Sequence, residues 1–354
     1  MLQTLHAGAY WDYFEQNRWR ILQRSRTTEA PGEDFQTWDL PRLFTEIDAR
    51  YRTALENAAA LQQIPIASYE ALLEKGNVPD RFRPTLYDFL AFEALEFYTA
   101  AEQAGAAPQD AFGFSADSPA LGTMTEFLAW KPESTDTASP RWRAITLYQN
   151  LLRFHANDAD VSARVLIDLD RLEWAASEAT GDQANSRVRE RLEELLQTHD
   201  EEEAGVAVGE RLAERLMESE EFVEARRIAS TAAERHPDSV FAVACRNLVK
   251  QIESRELQVG TEQVWNAAGP EVEITYRNVD AAHFRLVLRE WTLSGQRWET
   301  PENLDHEALQ AVVKANPIAS WTAELEKTSD YRQRTVKVAA PAGNIYIRWI
   351  GPSA

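Results

Sequence analysis

The spacing of apolar residues changes near Leu257, and this change limits the possible folds more than any other feature of the chain. Before Leu257, apolar residues recur at three- and four-residue spacing and the segments end in Pro, Gly, Asn or Asp, which predicts helices. After it, alternating apolar and polar residues predict four strands: EVEITYRN, AHFRLVLRE, QRTVKVAA and NIYIRWIG. The sequence therefore predicts an α+β multidomain protein, with a helical array followed by an antiparallel β-sandwich.

The helical part is expected to contain two domains. Residues 1–138 are predicted to form an N-terminal helical region, and residues 139–256 a tetratricopeptide-like array of helical repeats. Within that array, Ala213 and Ala225 are small residues at points where two helices would approach. The stretch His236-Pro-Asp-Ser then predicts a break before another helix.

Residues 257–354 are expected to form the β domain. Besides the four clear strands, RELQV is a candidate for a fifth, and NLDHEALQAVVKAN is expected to be helical or irregular. A two-layer sandwich commonly needs about seven strands. The domain is therefore expected to be incomplete, which favours a piece of a longer protein.

Charge and composition exclude two classes of partner. The chain has 57 acidic and 37 basic residues, and a net charge of -20 repels phosphate backbones. No Lys/Arg-rich tract forms a local basic patch, so no nucleic-acid partner is expected. No apolar run approaches about eighteen residues, so no membrane insertion is expected.

The start MLQTLHAGAYWDYF also lacks the basic and apolar segments of a signal peptide.

The segment Gly260-Thr-Glu-Gln263 is close to the Cys-Gly-Glu-Gln motif from which some secreted proteins form an internal thioester. That chemistry needs a thiol three residues before the glutamine, and Gly260 has no side chain. The single cysteine of the chain, Cys245, lies upstream in a predicted helix and is expected to fill a core. A thioester is therefore excluded, and one thiol does not select a compartment.

Other candidate sites are weak. The six histidines form no H-x-x-x-H or H-E-x-x-H pair, and no G-x-S-x-G motif or glycine-rich phosphate loop is present. The run THDEEE, which includes His199 to Glu203, is a candidate for a hard cation, but a solvated helix end is the favoured interpretation. No catalytic, cofactor-binding or metal-binding residue is assigned, and neither enzymatic activity nor a cofactor is expected.

Nine of the eleven tryptophans form two groups. Those in amphipathic helical contexts are expected to pack between helices: Trp11, Trp19, Trp38, Trp142 and Trp174. Those in the predicted β domain are candidates for contact with a neighbouring domain: Trp291, Trp298, Trp321 and Trp349.

Several stretches together resemble the N-terminal region of large bacterial α-macroglobulin-family proteins, especially those of Bacteroidetes. They are PTLYDFLAFEALEFY, the helix pair beginning EARRIASTAAERHPDS, the strand pair ITYRNVDAAHFRLVLRE, and SWTAELEKTSDYRQRTVKVAAPAGNIYIRWIG. The resemblance covers most of the chain. It implies a helical segment before a string of macroglobulin-like β-sandwiches, the YRN…FRL pair beginning the first sandwich. Asp330-Tyr331, the Val336/Val338 strand and the Gly343–Tyr346 strand would be its later parts.

Members of that family resemble protease inhibitors, which enclose a protease after it cuts a bait segment. The resemblance implies a periplasmic, cell-envelope or extracellular location. It also implies partners that are proteases or other proteins, met through the full-length protein, and further macroglobulin-like domains in cis. The first hypothesis is therefore a non-catalytic scaffold and interaction region. The second is a stand-alone tetratricopeptide-like adaptor that binds a peptide or protein. A third, enzymatic hypothesis needs convergent polar residues that the sequence does not identify.

Overall fold

The computed structural model describes residues 1–24, 32–101, 112–133, 139–261, 271–287, 293–294, 297–298 and 306–339. These residues are mostly helical with small antiparallel sheets, which confirms the predicted α+β class. The predicted NIYIRWIG strand lies outside the described residues, as do Gln263, Trp291 and Trp349. None of the described helices is long and apolar enough to span a bilayer.

The first helices are α1 (Leu2–Leu22), α2 (Leu40–Leu55), the short α3 (Ala58–Leu61), α4 (Leu86–Ala101) and α5 (Met124–Ala129). Capping residues fix two of their starts. The Asp39 carboxylate accepts a hydrogen bond of 3.0 Å from the Arg42 N–H at the start of α2. Thr123 and Glu126 form a capping box at the start of α5.

Aromatic side chains fill the core between α1, α2 and α4. Phe44 lies at the centre, with its ring 5.1 Å from that of Phe14, 5.5 Å from that of Phe97 and 5.8 Å from that of Trp11. Such edge-on and tilted ring pairs stabilise a core beyond the area they bury. The backbone of α1 leaves helical geometry at Asn17, so its last turn has a changed direction.

Six further helices follow: α6 (Pro140–Phe154), α7 (Ser162–Glu178), α8 (Ala184–His199), α9 (Glu203–Glu218), α10 (Phe222–Arg235) and α11 (Val240–Glu253). Helix α7 packs against α6 and α8 and contains the completely buried Arg171. The Arg171 guanidinium donates to the carbonyls of Ala120 (2.7 Å) and Gly122 (3.0 Å) and to Asp168 Oδ1 (2.8 Å). A buried charge is tolerable here because its donors have partners.

The remaining elements are β1 (Glu256–Thr261), β2 (Glu271–Arg277), β3 (Ala281–Leu286), β4 (Leu293–Ser294), β5 (Arg297–Trp298), α12 (His306–Lys314), β6 (Ala319–Glu324) and β7 (Arg334–Ala339). Strand β1 overlaps the candidate fifth strand RELQV from Glu256 onward, and α12 lies in the segment expected to be helical or irregular. The strands pair antiparallel in the orders β1-β2-β7, β3-β6 and β4-β5. The first two of these sheets share one apolar core, to which Ile274, Tyr276, Phe284 and Leu325 contribute.

The chain divides into two compact units. The first unit contains Met1–Leu212 and Ala232–Ala244, and the second contains Ala213–Thr231 and Cys245–Ala354. The domain boundaries expected at 138/139 and 256/257 stay predictions.

Candidate functional site

The stretch Tyr276-Arg277-Asn278 ends β2 and connects it to the end of α11. The Arg277 guanidinium donates to the Gln251 carbonyl (3.3 Å) and to Ser254 Oγ (3.0 Å), and it pairs with Glu256 at the start of β1. One side chain therefore binds both the last turn of the helix and the strand that follows it. Carbonyls at a helix end lack partners within the helix, so an arginine there satisfies them.

Asn278 also connects the end of β2 to the end of α11. Its amide donates to the carbonyls of Ile252 (2.8 Å) and Ser254 (2.9 Å), and its backbone N–H donates to Thr328 Oγ1 (2.8 Å). Its φ of 55° is in the left-handed region, which asparagine tolerates better than most residues. The position therefore uses both the backbone tolerance and the amide donors of asparagine.

Tyr276 and Arg332 attach the segment between β6 and β7 to other parts of the second unit. The completely buried Tyr276 donates its hydroxyl to the Glu326 carbonyl at 3.0 Å. The Arg332 guanidinium donates to the Glu220 carbonyl, in the turn before α10, through Nε (3.3 Å) and Nη2 (3.1 Å). We call Tyr276, Arg277, Asn278, Thr328 and Arg332 the helix–strand joint. Its donors bind mainly backbone carbonyls, so its role is to fix geometry.

Comparison of the chain with protein-family models, with curated proteins and with solved structures returned no match. The resemblance to α-macroglobulin-family proteins therefore stays a sequence-based hypothesis.

The acidic run after α8 is occupied by cationic partners. Asp200 pairs with Arg235 at 2.6 Å, and Glu203 pairs with Arg81. The Glu201 carbonyl lies 3.0 Å from the Nε2 atom of His236. Through these contacts the acidic run connects the turn between α8 and α9 to neighbouring segments of the first unit. Within the described part of the chain, no group of three or more His, Cys, Asp and Glu side chains is arranged to hold a metal ion.

His155 is the histidine with the most organised surroundings, and sequence reasoning did not single it out. Its Nε2 atom lies 2.8 Å from Asp88 Oδ1 and its Nδ1 atom lies 2.6 Å from Asp158 Oδ2, while the ring is completely buried. The other oxygen of Asp88 accepts from the N–H (2.9 Å) and hydroxyl (2.8 Å) of Thr85 at the start of α4. The sequence signal Thr85-x-x-Asp88 identifies this helix cap, but it gives no sign of the histidine.

The charge of His155 follows from these contacts. Burial of the ring is the largest single influence and lowers its pKa, but the hydrogen bonds and charges of Asp88 and Asp158 together outweigh it. The pKa of His155 is therefore raised above the ordinary value. Below this raised pKa the ring is the imidazolium form, which donates from both nitrogens to the carboxylates that face them. This buried charge connects the start of α4 to the loop before α7, which is a structural role.

The remaining sequence candidates have mixed outcomes. Cys245 is completely buried, as expected for core filling, and Gly260 lies within β1 opposite Glu273. Trp11, Trp38 and Trp174 are buried and Trp142 is half-buried, whereas Trp19 is 77% exposed, so its predicted helix packing is wrong. The buried stripe of α1 runs through Thr4, Ala7, Trp11, Phe14 and Ile21, and Trp19 lies off this stripe, on the face toward solvent. In the β region, the half-buried Trp321 stacks on Phe284 with ring centroids 5.0 Å apart.

Proposed function

We propose that this chain is a non-catalytic scaffold and interaction region that resembles the N-terminal part of bacterial α-macroglobulin-like proteins, a family of protease inhibitors. The observation that carries the proposal is the helix–strand joint. Tyr276, Arg277 and Asn278 come from the YRN stretch and Arg332 from the DYR stretch, on which the resemblance depends. Arg277, Asn278 and Arg332 each hold a strand or loop to a helix end, and Tyr276 holds β2 to the β6–β7 connection. Polar side chains that already hydrogen-bond within the protein in this way are more typical of a scaffold than of a reactive site.

The strand order gives further support. The chain passes from β1 and β2 in one sheet to β3 and β6 in a second, and then returns to place β7 beside β2. Two antiparallel sheets that share a core, with the chain crossing between them, are the plan of a β-sandwich. We infer a macroglobulin-like sandwich from this plan together with the sequence resemblance.

Partners in this proposal are proteins. Among the described strands, β1 and β7 each pair on one side only, and such edges accept further strands. These edges suit contacts with further macroglobulin-like domains in cis, in a periplasmic, cell-envelope or extracellular protein. Proteases would then be met through the full-length protein.

A protease assay on the full-length natural protein tests this function. We expect that trypsin preincubated with the protein no longer cleaves casein, a large substrate, but still cleaves a short chromogenic peptide. The reason is that small molecules still reach the active site of an enclosed protease. The double variant Arg277→Ala/Asn278→Gly should lose much of the protection, whereas Arg255→Ala, at an exposed arginine outside the joint, should keep it. Equal cleavage of casein with and without the wild-type protein would overturn the trapping role.

Sequencing the genomic DNA downstream of the Ala354 codon tests the family assignment separately. Continuing segments of alternating apolar and polar residues, at sandwich spacing, would support the macroglobulin-like protein. A stop codon followed by an unrelated gene would overturn it.

A tetratricopeptide-like adaptor is the second candidate. It is favoured by Ala213 and Ala225, which are completely buried in successive helices joined by a three-residue connection. Fluorescence anisotropy with a library of labelled peptides tests this alternative. Saturable peptide binding without peptide cleavage would favour the adaptor, and a lack of binding across the library would count against it.

A further inference from the structure

A cavity of about 460 Å³ lies in the first unit, where α5, α7 and α8 meet. Its walls are the segment Gly122–Thr125, one face of α7 and one face of α8. This volume is within the range of about 300–1,000 Å³ that is usual for small-molecule sites. The wall contains neither His155 nor any residue of the helix–strand joint.

Much of the wall is apolar. Met124 comes from the first turn of α5, Val165 and Leu172 from α7, and Leu195 from α8. Val165 and Leu172 are themselves buried, so this part of the wall is continuous with the helical core. Such a surface suits a hydrocarbon or aromatic group.

Arg164 supplies a positive charge without a matching carboxylate. Its guanidinium donates one hydrogen bond to the Ala156 carbonyl at 3.0 Å, and no acidic side chain of the described residues pairs with it. The one carboxylate that α7 contributes to the wall, Asp168, is bound by Arg171 at 2.7 Å and 2.8 Å. The other arginine of the wall, Arg191, is held by Glu194, so Arg164 is the cation left for a ligand.

His199 places a buried polar atom without a hydrogen-bond partner in the same wall. The Nδ1 atom of His199 is buried and makes no hydrogen bond, and the nearest carboxylate oxygen, from Glu202, is 3.6 Å away. That distance is beyond a hydrogen bond, and a buried polar atom without a partner is unfavourable. A polar ligand atom or water in the cavity would satisfy it.

We propose that this cavity binds a small carboxylic acid with an apolar body, the carboxylate on Arg164 and the body mainly against the half-buried Met124 and Leu195. An arginine binds a carboxylate through two parallel N–H donors, which gives both orientation and charge complementarity. The apolar wall then selects acids that carry a ring or a short chain over acetate.

Isothermal titration with 4-phenylbutyrate, and with the neutral 4-phenylbutyramide as the matched probe, tests the proposal. We expect the acid to bind and the amide to bind at least about tenfold more weakly, because a charge-assisted pair is lost. Arg164→Gln should weaken acid binding by a similar factor. Arg189→Gln, at an arginine on α8 outside the cavity wall, should leave it unchanged.

Thr198→Trp provides an independent test, because Thr198 is an exposed wall residue and a large side chain there should close the cavity without altering the core. We expect this variant to keep its urea midpoint and to lose binding. Absence of acid binding to the wild-type chain would overturn the proposal. Equal binding of acid and amide, or unchanged binding in both cavity variants, would also overturn it.

Discussion

The His155 ring is buried away from water, so below its raised pKa the stability contribution of its charge depends on the two carboxylates that face it. Asp88 and Asp158 lie 2.8 Å and 2.6 Å from its ring nitrogens, and Thr85 orients Asp88. Because the pKa of His155 is raised in the folded protein, the contribution is fully present below the unfolded pKa of about 6.5. It is lost as the pH rises through the folded value.

We therefore expect His155→Gln to destabilise the protein by roughly 2–4 kcal/mol at about pH 6, and by less at about pH 9. Urea midpoints of the wild type and the variant at both pH values measure the difference. His6→Gln, at an exposed histidine of α1, is the control and should have little effect at either pH. A stability difference for His155→Gln that stays constant or grows with pH would contradict a charged His155.

Asn278 combines two roles that substitutions can separate. Glycine at this position keeps the left-handed φ of 55° without strain but removes the amide donors, whereas alanine removes the donors and adds strain. We expect both variants to be less stable than the wild type, with Asn278→Ala below Asn278→Gly by about 1 kcal/mol. Chemical unfolding of the three proteins measures this order. Equal stability of the two variants would mean that the backbone conformation costs little.

Some residues in these networks were predictable from sequence and others were not. The core positions of Cys245, Ala213 and Ala225 follow from small or apolar side chains on a helical period. The contact between His155 and Asp88 joins residues 67 positions apart, and no local pattern encodes such a distance. The amide bonds of Asn278 depend likewise on where the chain brings the end of α11.

At the scale of elements, the turn between α8 and α9 places two backbones close together at Gly205. A Cβ atom added there would overlap the His199 carbonyl, while one added at Gly8 in α1 would meet open space. We expect Gly205→Ala to destabilise the protein by roughly 1–3 kcal/mol, because the backbone must move.

Gly8→Ala is the matched control, since it makes the same chemical change inside a helix. It should be neutral or stabilising by up to about 1 kcal/mol, because alanine is the better helix former. Thermal melts of the two variants compare them directly. A loss of stability at Gly8 equal to that at Gly205 would show that contact with His199 is not the cause.

The elements themselves were more predictable than their arrangement. An apolar period of about 3.6 residues identifies the apolar face of a helix, and a period of two residues identifies that of a strand. The change of period near Leu257 correctly separated the helical part from the part that contains the strands. Neither period identifies which strands pair. The pairing of Thr275 with Thr335 spans 60 residues, and alternation alone would fit several neighbours for β2 equally well.

At the scale of the whole molecule, the excess of acidic residues has an energetic cost. With 57 acidic and 37 basic residues, the chain keeps a net charge of -20 at neutral pH, whatever the local ion pairs are. On α4, the half-buried Glu93 shows the effect locally, because burial and the nearby Glu96 and Asp12 raise its pKa against the opposing influence of Arg83. Net repulsion of this kind acts on the folded state more than on the expanded unfolded chain.

Salt should therefore stabilise this protein at neutral and alkaline pH. Raising NaCl from about 0.02 M to about 0.2 M shortens the screening length from about 20 Å to about 7 Å, which weakens long-range repulsion between carboxylates. We expect the urea midpoint at about pH 8 to rise with salt, and the effect to shrink near the sequence pI of about 4.8, where the net charge is small. Exposed ion pairs such as Arg227–Glu224 weaken with salt, so a midpoint that falls at pH 8 would mean that such pairs outweigh the net repulsion.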